Sequence, residues 1–253
     1  MIDPKIQAII NDFKPISLGE MDAVKLLNRT DTKYVFESKK LPFLLQDAKS
    51  KYSVLHIEGD PFQSYQTIYY DTSDKLMYHV HQTGRANRYK VRHRTYMSSG
   101  IGFLEVKFKN NKGVTKKKRI SYNDISNGLD AGAEFLEKRY PYDWRELKPT
   151  SLVEYTRITL VNLECGERVT VDTNLHVTNQ ENGTKVDFSH ICIVELKRDK
   201  NSKISPMCAL LKKHRIFRKG MSKYAIGTAA IYDDVRLNRF KKKLRFLDKL
   251  KYK

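Results

Sequence analysis

The segment Arg88-Tyr-Lys-Val-Arg-His-Arg94 cannot be buried on both faces, and no other feature of the chain constrains the fold as much. Successive side chains of a strand point to opposite sides, so Lys90, Arg92 and Arg94 fall on one face and Tyr89, Val91 and His93 on the other. The pattern recurs in Phe103-Leu-Glu-Val-Lys-Phe-Lys109, where Glu105, Lys107 and Lys109 oppose Leu104, Val106 and Phe108. In Ile191-Cys-Ile-Val-Glu-Leu-Lys197, Glu195 and Lys197 oppose Cys192, Val194 and Leu196. Arg168, Thr170 and Asp172 oppose Val169 and Val171. Lys33, Arg157 and the Lys116–Arg119 run extend the set.

An antiparallel sheet with one face in water accounts for any single strand of this kind. Several together need more, because like charges directly opposite each other destabilise neighbouring strands. The chain carries 48 Lys+Arg against 29 Asp+Glu, a formal charge of +19. A face so basic repels itself unless an anion fills it. Closing the sheet into a barrel with that face inside makes a basic tunnel whose apolar exterior is covered by helices. A phosphate chain satisfies its donors, Arg as a bidentate fork and Lys as a point charge. The interspersed carboxylates suit a divalent metal held against phosphate oxygens.

Around these strands the periodicity predicts helices. Ser17-x-x-Glu20 has capping-box spacing ahead of Met21, Val24 and Leu27. A second helix follows Ser38, with Pro42 in its first turn and Leu41, Leu44, Leu45 and Ala48 on one face. Others are expected at Leu129–Arg139, at Pro206–His214, and from Ala225 towards the C-terminus. Residues 1–253 are expected to form a single α+β domain with a basic helical tail at 236–253. Three cysteines, Cys165, Cys192 and Cys208, provide no disulfide framework. With no apolar run of spanning length and no signal-peptide pattern, a cytoplasmic location is expected.

Nine motifs in order carry a resemblance. They are Arg29-Thr-Asp-Thr-Lys-Tyr34, Tyr69-Tyr-Asp-Thr72, Tyr89-Lys-Val-Arg-His-Arg-Thr-Tyr96, Phe103-Leu-Glu-Val-Lys107 and Lys116-Lys-Lys-Arg119, then Tyr155-Thr-Arg157, Arg168-Val-Thr-Val-Asp-Thr173, Val194-Glu-Leu-Lys197 and Ser222-Lys-Tyr224. Each alone is weak, but the ordered set resembles the catalytic domain of the vacuolar transporter chaperone (VTC) family. Its members are polyphosphate polymerases of the triphosphate tunnel metalloenzyme superfamily. The resemblance implies an eight-stranded antiparallel β-barrel with a basic lumen, flanked by helices. It also implies transfer of the γ-phosphate of ATP onto a growing inorganic polyphosphate chain, with Mn²⁺ or Mg²⁺. By the same resemblance Lys33, Arg92, Arg94, Lys107, Arg157 and Arg168 correspond to residues gripping triphosphate and product. Glu195 corresponds to the metal-binding carboxylate, and Lys223 to a lysine near the tunnel mouth. Lys118 matches a further basic position, with the register of the lysine run left open. Lys90, Lys109 and Lys197 join the phosphate contacts, and Glu105 is a second metal or orienting carboxylate, by their place on the charged face.

Thr32-Lys-Tyr-Val-Phe-Glu37 lacks the Glu-x-Glu-x-Lys of the hydrolase and cyclase branch, which favours the polymerase branch. No regulatory domain or membrane helices match, so control by inositol phosphates and coupling to export are not implied; a stand-alone, bacterial-type version is expected. Hydrolysis of triphosphates in the same tunnel is the alternative activity. Binding of RNA or polyphosphate without catalysis is the alternative from another class, and Glu105 and Glu195 count against it.

Other features read as structural. His79-Val-His81 suggests a metal pair on a strand face, but no Cys/His cluster completes it. Gly100-Ile-Gly102 is expected to be a hairpin turn, with no Gly-Lys-Ser/Thr following it. Cys192 and Trp144 are expected in the core. The tail 236–253 holds nine basic residues and one acid, Asp248. It reads as a solvated helix packed on the barrel, or as a contact for exiting polyphosphate, an anionic membrane or nucleic acid; no DNA partner is expected.

Overall fold

The computed structural model describes residues 2–22, 29–126, 128–202 and 204–252. Its strands are β1 (Lys14–Ile16), β2 (Arg29–Glu37), β3 (Ser53–Leu55), β4 (Gln63–Asp71), β5 (Arg88–Tyr96), β6 (Gly102–Lys109), β7 (Thr115–Ser121), β8 (Lys148–Asn162), β9 (Glu167–Asn179), β10 (Lys185–Asp187) and β11 (Ile191–Asp199). The helices are α1 (Pro4–Asn11), α2 (Leu18–Asp22), α3 (Leu41–Ala48), α4 (Leu76–Thr83), α5 (Ala133–Arg139), α6 (Pro206–Lys213), α7 (Lys223–Ile231) and α8 (Lys241–Lys249).

Eight strands pair in the order β2-β11-β9-β8-β4-β5-β6-β7, every neighbour antiparallel. This is the antiparallel barrel sheet expected from the alternation. The register slips between Glu154 and Thr156 and between Tyr69 and Tyr70, and such irregularities sharpen the twist of a sheet. The sheet curls until Lys33 on β2 and Glu195 on β11 lie within electrostatic reach of Lys107 on β6. Among the described residues its terminal strands, β2 and β7, are not paired with each other. Instead Arg218 bridges to Tyr34, and the Lys219 amide donates to the Lys33 carbonyl at 2.9 Å, covering the β2 edge.

The outer face is apolar and helix-covered. Against β2, β11, β9 and β8 lie α1, α3 and α6, which enclose Phe36, Leu160, Val171, Val194, Leu196 and Cys192. Pro42 opens α3, and Leu41, Leu44, Leu45 and Ala48, at i, i+3, i+4 and i+7, are all buried. Each of those leucines contributes ~1.5–3 kcal/mol by leaving water. A second core joins Val91, Leu104 and Val106 with Met77, Tyr78, Leu136 and Trp144, and runs on through α7 to Leu247 and Leu250. The Ser17 amide and hydroxyl donate to Glu20, at 2.8 and 2.6 Å, and cap α2 as its spacing predicts. Val24 and Leu27, assigned to the same helix, lie outside the described residues. Gly100 turns the β5–β6 hairpin at φ +66°. A Cβ on Gly102 would stand 2.3 Å from the Tyr122 carbonyl, so only glycine fits there.

Two expectations are corrected. His79 and His81 lie on α4, not on a strand. Asp71 accepts from the amides of Met77 and Tyr78, and Thr72 Oγ1 from that of Leu76, so helix capping prevails over the local alternation. The last helix is not continuous either. It ends at Ile231, where Tyr232 turns extended, and α8 starts at Lys241. The physical reason is burial. Most of α7 is buried inside the fold, whereas α8 is charged on its outer side, and one straight helix cannot serve both environments. No helix among the described residues is long and apolar enough to cross a membrane.

Candidate active site

The lumen is organised around three carboxylates, each held between two cations. Glu105 on β6, buried to 1% exposure, takes Nε and Nη2 of Arg92 on Oε2, each at 2.5 Å, and Lys117 on Oε1 at 3.1 Å. Asp172 on β9 receives a bidentate fork from Arg157, at 2.6 and 2.9 Å, and also the ammonium of Lys223. Glu195 on β11 is 2.6 Å from Lys33 and 3.7 Å from Lys197. The strand register produces these groups. Lys33 stands opposite Glu195, Arg157 opposite Asp172, and Arg92 opposite Glu105.

Burial alone would raise all three carboxyl groups. Instead the Arg92, Arg94 and Lys117 cations bring Glu105 down to about 2. Arg157 and Lys223 hold Asp172 well below the usual carboxylate range, and Lys33 and Lys197 do the same for Glu195. The lysines show the converse stress. Burial, with Lys107 and Arg88 nearby, pushes Lys90 well below its ordinary value. Burial pulls Lys197 down to about 8, with Glu195 only partly offsetting it. Lys107 is lowered by burial and by Arg92, although its side chain remains open to solvent within the lumen walls. Such a site is charged with cations that an anion would relieve.

A tyrosine wall orients the guanidinium groups. Tyr65 stacks on Tyr155 at 5.1 Å, and Tyr69 packs on Tyr224 at 5.0 Å. Arg157 lies over Tyr65 and Tyr155, Arg94 over Tyr65, and Arg92 over Tyr69, with ring distances of 5.2, 5.4, 5.5 and 6.0 Å. Burial would raise the Tyr69 hydroxyl, but Arg92 and Arg94 bring it below its ordinary value. The Tyr65–Tyr155 pair also lines a cavity of about 580 Å³, together with Ser64, Gln66, Glu154, Thr156 and His176.

The N-terminal end of α7 enters this site. Ser222 caps the helix by accepting from the Ala225 amide, and its hydroxyl also accepts from the Lys90 ammonium at 2.8 Å. Lys223 lies 4.2 Å over the Tyr155 ring beside Asp172.

Lys33, Lys90, Arg92, Arg94, Glu105, Lys107, Arg157, Glu195, Lys197 and Lys223 are thus brought together. Three expected residues stand apart. Arg168 turns to the end of α2, donating to the Met21 carbonyl at 3.2 Å. Lys109 stands at the end of β6 opposite Arg88. Lys118 is corrected: it pairs with Val106, so it shares the outward side of β7, and Lys117, opposite Lys107, faces the charged side in its place. The sequence reading also gave Asp172, Lys117 and Tyr69 no role. Their signal was present in the period of two, which places Asp172 with Arg168 and Thr170.

No group of three His, Cys, Asp or Glu side chains that could hold a metal occurs among the described residues. The lumen presents single, hard carboxylate donors instead. Hard oxygen donors of this kind suit a hard divalent cation whose remaining positions are completed by phosphate oxygens and water.

Residues 28–232 match the VTC domain family. The chain belongs to the VTC domain family. Among solved structures, the VTC domain described here is similar to a Hippeastrum adenylyl cyclase reported to have a dominant triphosphatase activity. The identity is 16%, the TM-score 0.52, and the match covers 81% of this chain and 97% of that one. A conserved hypothetical protein of Pyrococcus furiosus matches at 9% identity and TM-score 0.44, covering 78% and 99% of the two chains. A Pyrococcus horikoshii protein matches at 9% and 0.38, covering 74% and 88%. The Hippeastrum likeness shows a shared fold. No curated protein sequence gives a significant match to this VTC domain.

Proposed function

We propose that this VTC domain is a polyphosphate polymerase, in which residues 1–253 act as one catalytic domain that transfers the γ-phosphate of ATP onto the end of an inorganic polyphosphate chain inside the lumen. The observation that carries this reading is the double pairing of the three carboxylates Glu105, Asp172 and Glu195. Carboxylates held so far below their usual range are poor proton acceptors, which disfavours activation of water. A terminal phosphate oxygen is already anionic at neutral pH and needs no base.

In the proposed reaction that oxygen attacks the γ-phosphorus, a new P–O bond forms, and the bond to the β–γ bridging oxygen breaks to release ADP. Such transfer demands in-line positioning and neutralisation of charge, with little covalent work by the protein. Arg92, Arg94 and Arg157 lie on tyrosine rings in fixed orientations, so little reorganisation is needed as charge develops. Lys90, Lys107 and Lys197 regain full charge when phosphates enter between them. A Mg²⁺ or Mn²⁺ ion shared by Glu195 and the phosphates would supply further neutralisation of the oxygens around phosphorus.

Incubation of the purified chain with ATP and Mn²⁺, resolved on a urea gel stained for polyphosphate, tests the proposal. The expected product is a ladder that exopolyphosphatase removes. Free phosphate without a ladder would support the hydrolase reading, in which water replaces the acceptor.

A further inference from the structure

His81 on α4 meets Phe240, just ahead of α8, edge to face at 5.9 Å, and cations from three elements gather around that contact. Lys90 and Arg88 come from β5, Lys109 from β6 and Lys243 from α8; together with burial they press His81 down to about 2. Arg88 in turn feels Arg239, whose guanidinium donates to the Thr83 carbonyl at 2.7 Å, fastening the segment to the end of α4. Lys243 feels Lys219, whose ammonium lies 3.4 Å over the Phe246 ring. The Lys219 amide is bound to the Lys33 carbonyl, so this end of the series adjoins the strand bearing the Lys33–Glu195 pair. In the lumen the carboxylates are interleaved with the cations. Here Arg88, Lys109, Lys219 and Lys243 make no ion pair with a carboxylate among the described residues.

We infer that these side chains form a cationic track, continuous with the lumen through Lys90, that holds inorganic polyphosphate beyond the tunnel. The inference rests on the polyphosphate reading above and adds a second binding region to it. Packing selects the occupant. Phe240, Leu247 and Leu250 are buried, and Leu244 and Phe246 pack on the same core, so α8 keeps no apolar face to insert into a bilayer. Phe246 is covered by Lys219, so neither aromatic ring of the track is open for the base stacking that single-stranded RNA uses. What remains available is charge alone, which matches a chain whose every repeat is a phosphate. A short triphosphate would be satisfied in the lumen; only a longer chain would reach Lys219 and Lys243.

The test compares the full chain with a Lys219→Gln/Lys243→Gln double variant and a Lys219→Arg/Lys243→Arg variant, each checked for wild-type circular dichroism. Fluorescence anisotropy measures binding of tripolyphosphate, of a polyphosphate of roughly one hundred units, and of oligouridylate. For the glutamine variant, long-chain affinity should fall about tenfold and its log–log salt slope flatten by about 1.4, at ~0.7 per lost phosphate contact. Tripolyphosphate affinity should not change, and the arginine variant should retain long-chain binding. Unchanged long-chain affinity, or an equal loss for tripolyphosphate, would overturn the track. So would oligouridylate binding the wild type as tightly as polyphosphate, which would make this a nucleic-acid surface. A protein that makes no ladder yet shows the chain-length difference would lose the polymerase reading and keep the track. A ladder without that difference would do the reverse.

Discussion

The hydroxyl of Tyr224 donates to the carboxylate of Asp71, and this bond ties the barrel wall to the helix inside it. Asp71 is fully buried at the end of β4, where it also accepts from the amides of Thr72, Met77 and Tyr78 at 2.9, 2.9 and 3.0 Å. One side chain thus caps α4 and anchors α7. The neighbour of Tyr224 is Lys223, which reaches Asp172, so the anchor sets where a lumen cation stands. The motifs Tyr69-Tyr-Asp-Thr72 and Ser222-Lys-Tyr224 are two halves of one contact.

Tyr224→Phe therefore removes a donor from a buried carboxylate. Urea denaturation should show a loss of about 1–3 kcal/mol, and phosphate affinity should fall as Lys223 loses its support. Wild-type stability would mean that Asp71 is satisfied by the α4 amides alone.

Glu195→Gln should abolish turnover while leaving ATP binding, followed by calorimetry, largely intact. The substitution keeps the shape of the side chain and removes the charge that faces Lys33 and Lys197. Unchanged ladder formation on the urea gel would remove Glu195 from the site.

Arg92→Ala should cost both binding and catalysis, and stability as well, because Glu105 is left buried with Lys117 as its partner. A loss of about 3 kcal/mol is expected from breaking such a pair. Replacing both residues, Arg92→Met with Glu105→Leu, should recover most of that stability without recovering phosphate binding. Equal stability of the single and double variants would show that the pair is not coupled.

Lys197 gives opposite pH dependences for binding and folding. Its folded value of about 8 lies below the ordinary lysine value, so the unfolded chain binds more protons between the two. Stability without anion should therefore rise as pH increases from about 8 towards about 10.5. Tripolyphosphate affinity should fall over the onset of the same window as the ammonium discharges. A Lys197→Met variant should lose both components; identical pH profiles for variant and wild type would exclude Lys197 as their source.

Much of the barrel was legible because the alternation of side chains follows from backbone geometry at each residue. Lys90, Arg92 and Arg94 had to share a face wherever the strand lay, and Leu41, Leu44, Leu45 and Ala48 had to share one on a helix. Most of the expected cations converge for that reason, Arg168, Lys109 and Lys118 excepted. The His79–His81 strand and the unbroken last helix were misread because their outcome depends on groups far away in sequence. Asp71 caps α4 across a turn, and α7 leaves the core before α8 begins.

The chain by itself determined which residues share a face and how basic that face is. Tertiary structure decided which carboxylate meets which cations. It put Asp172 between Arg157 and Lys223, turned Lys117 inward in place of Lys118, and brought the end of α7 into the lumen. The division has a physical cause. Facing is set by local dihedral angles with a period of two, whereas pairing depends on inter-strand register and on the docking of helices, which non-local packing alone selects.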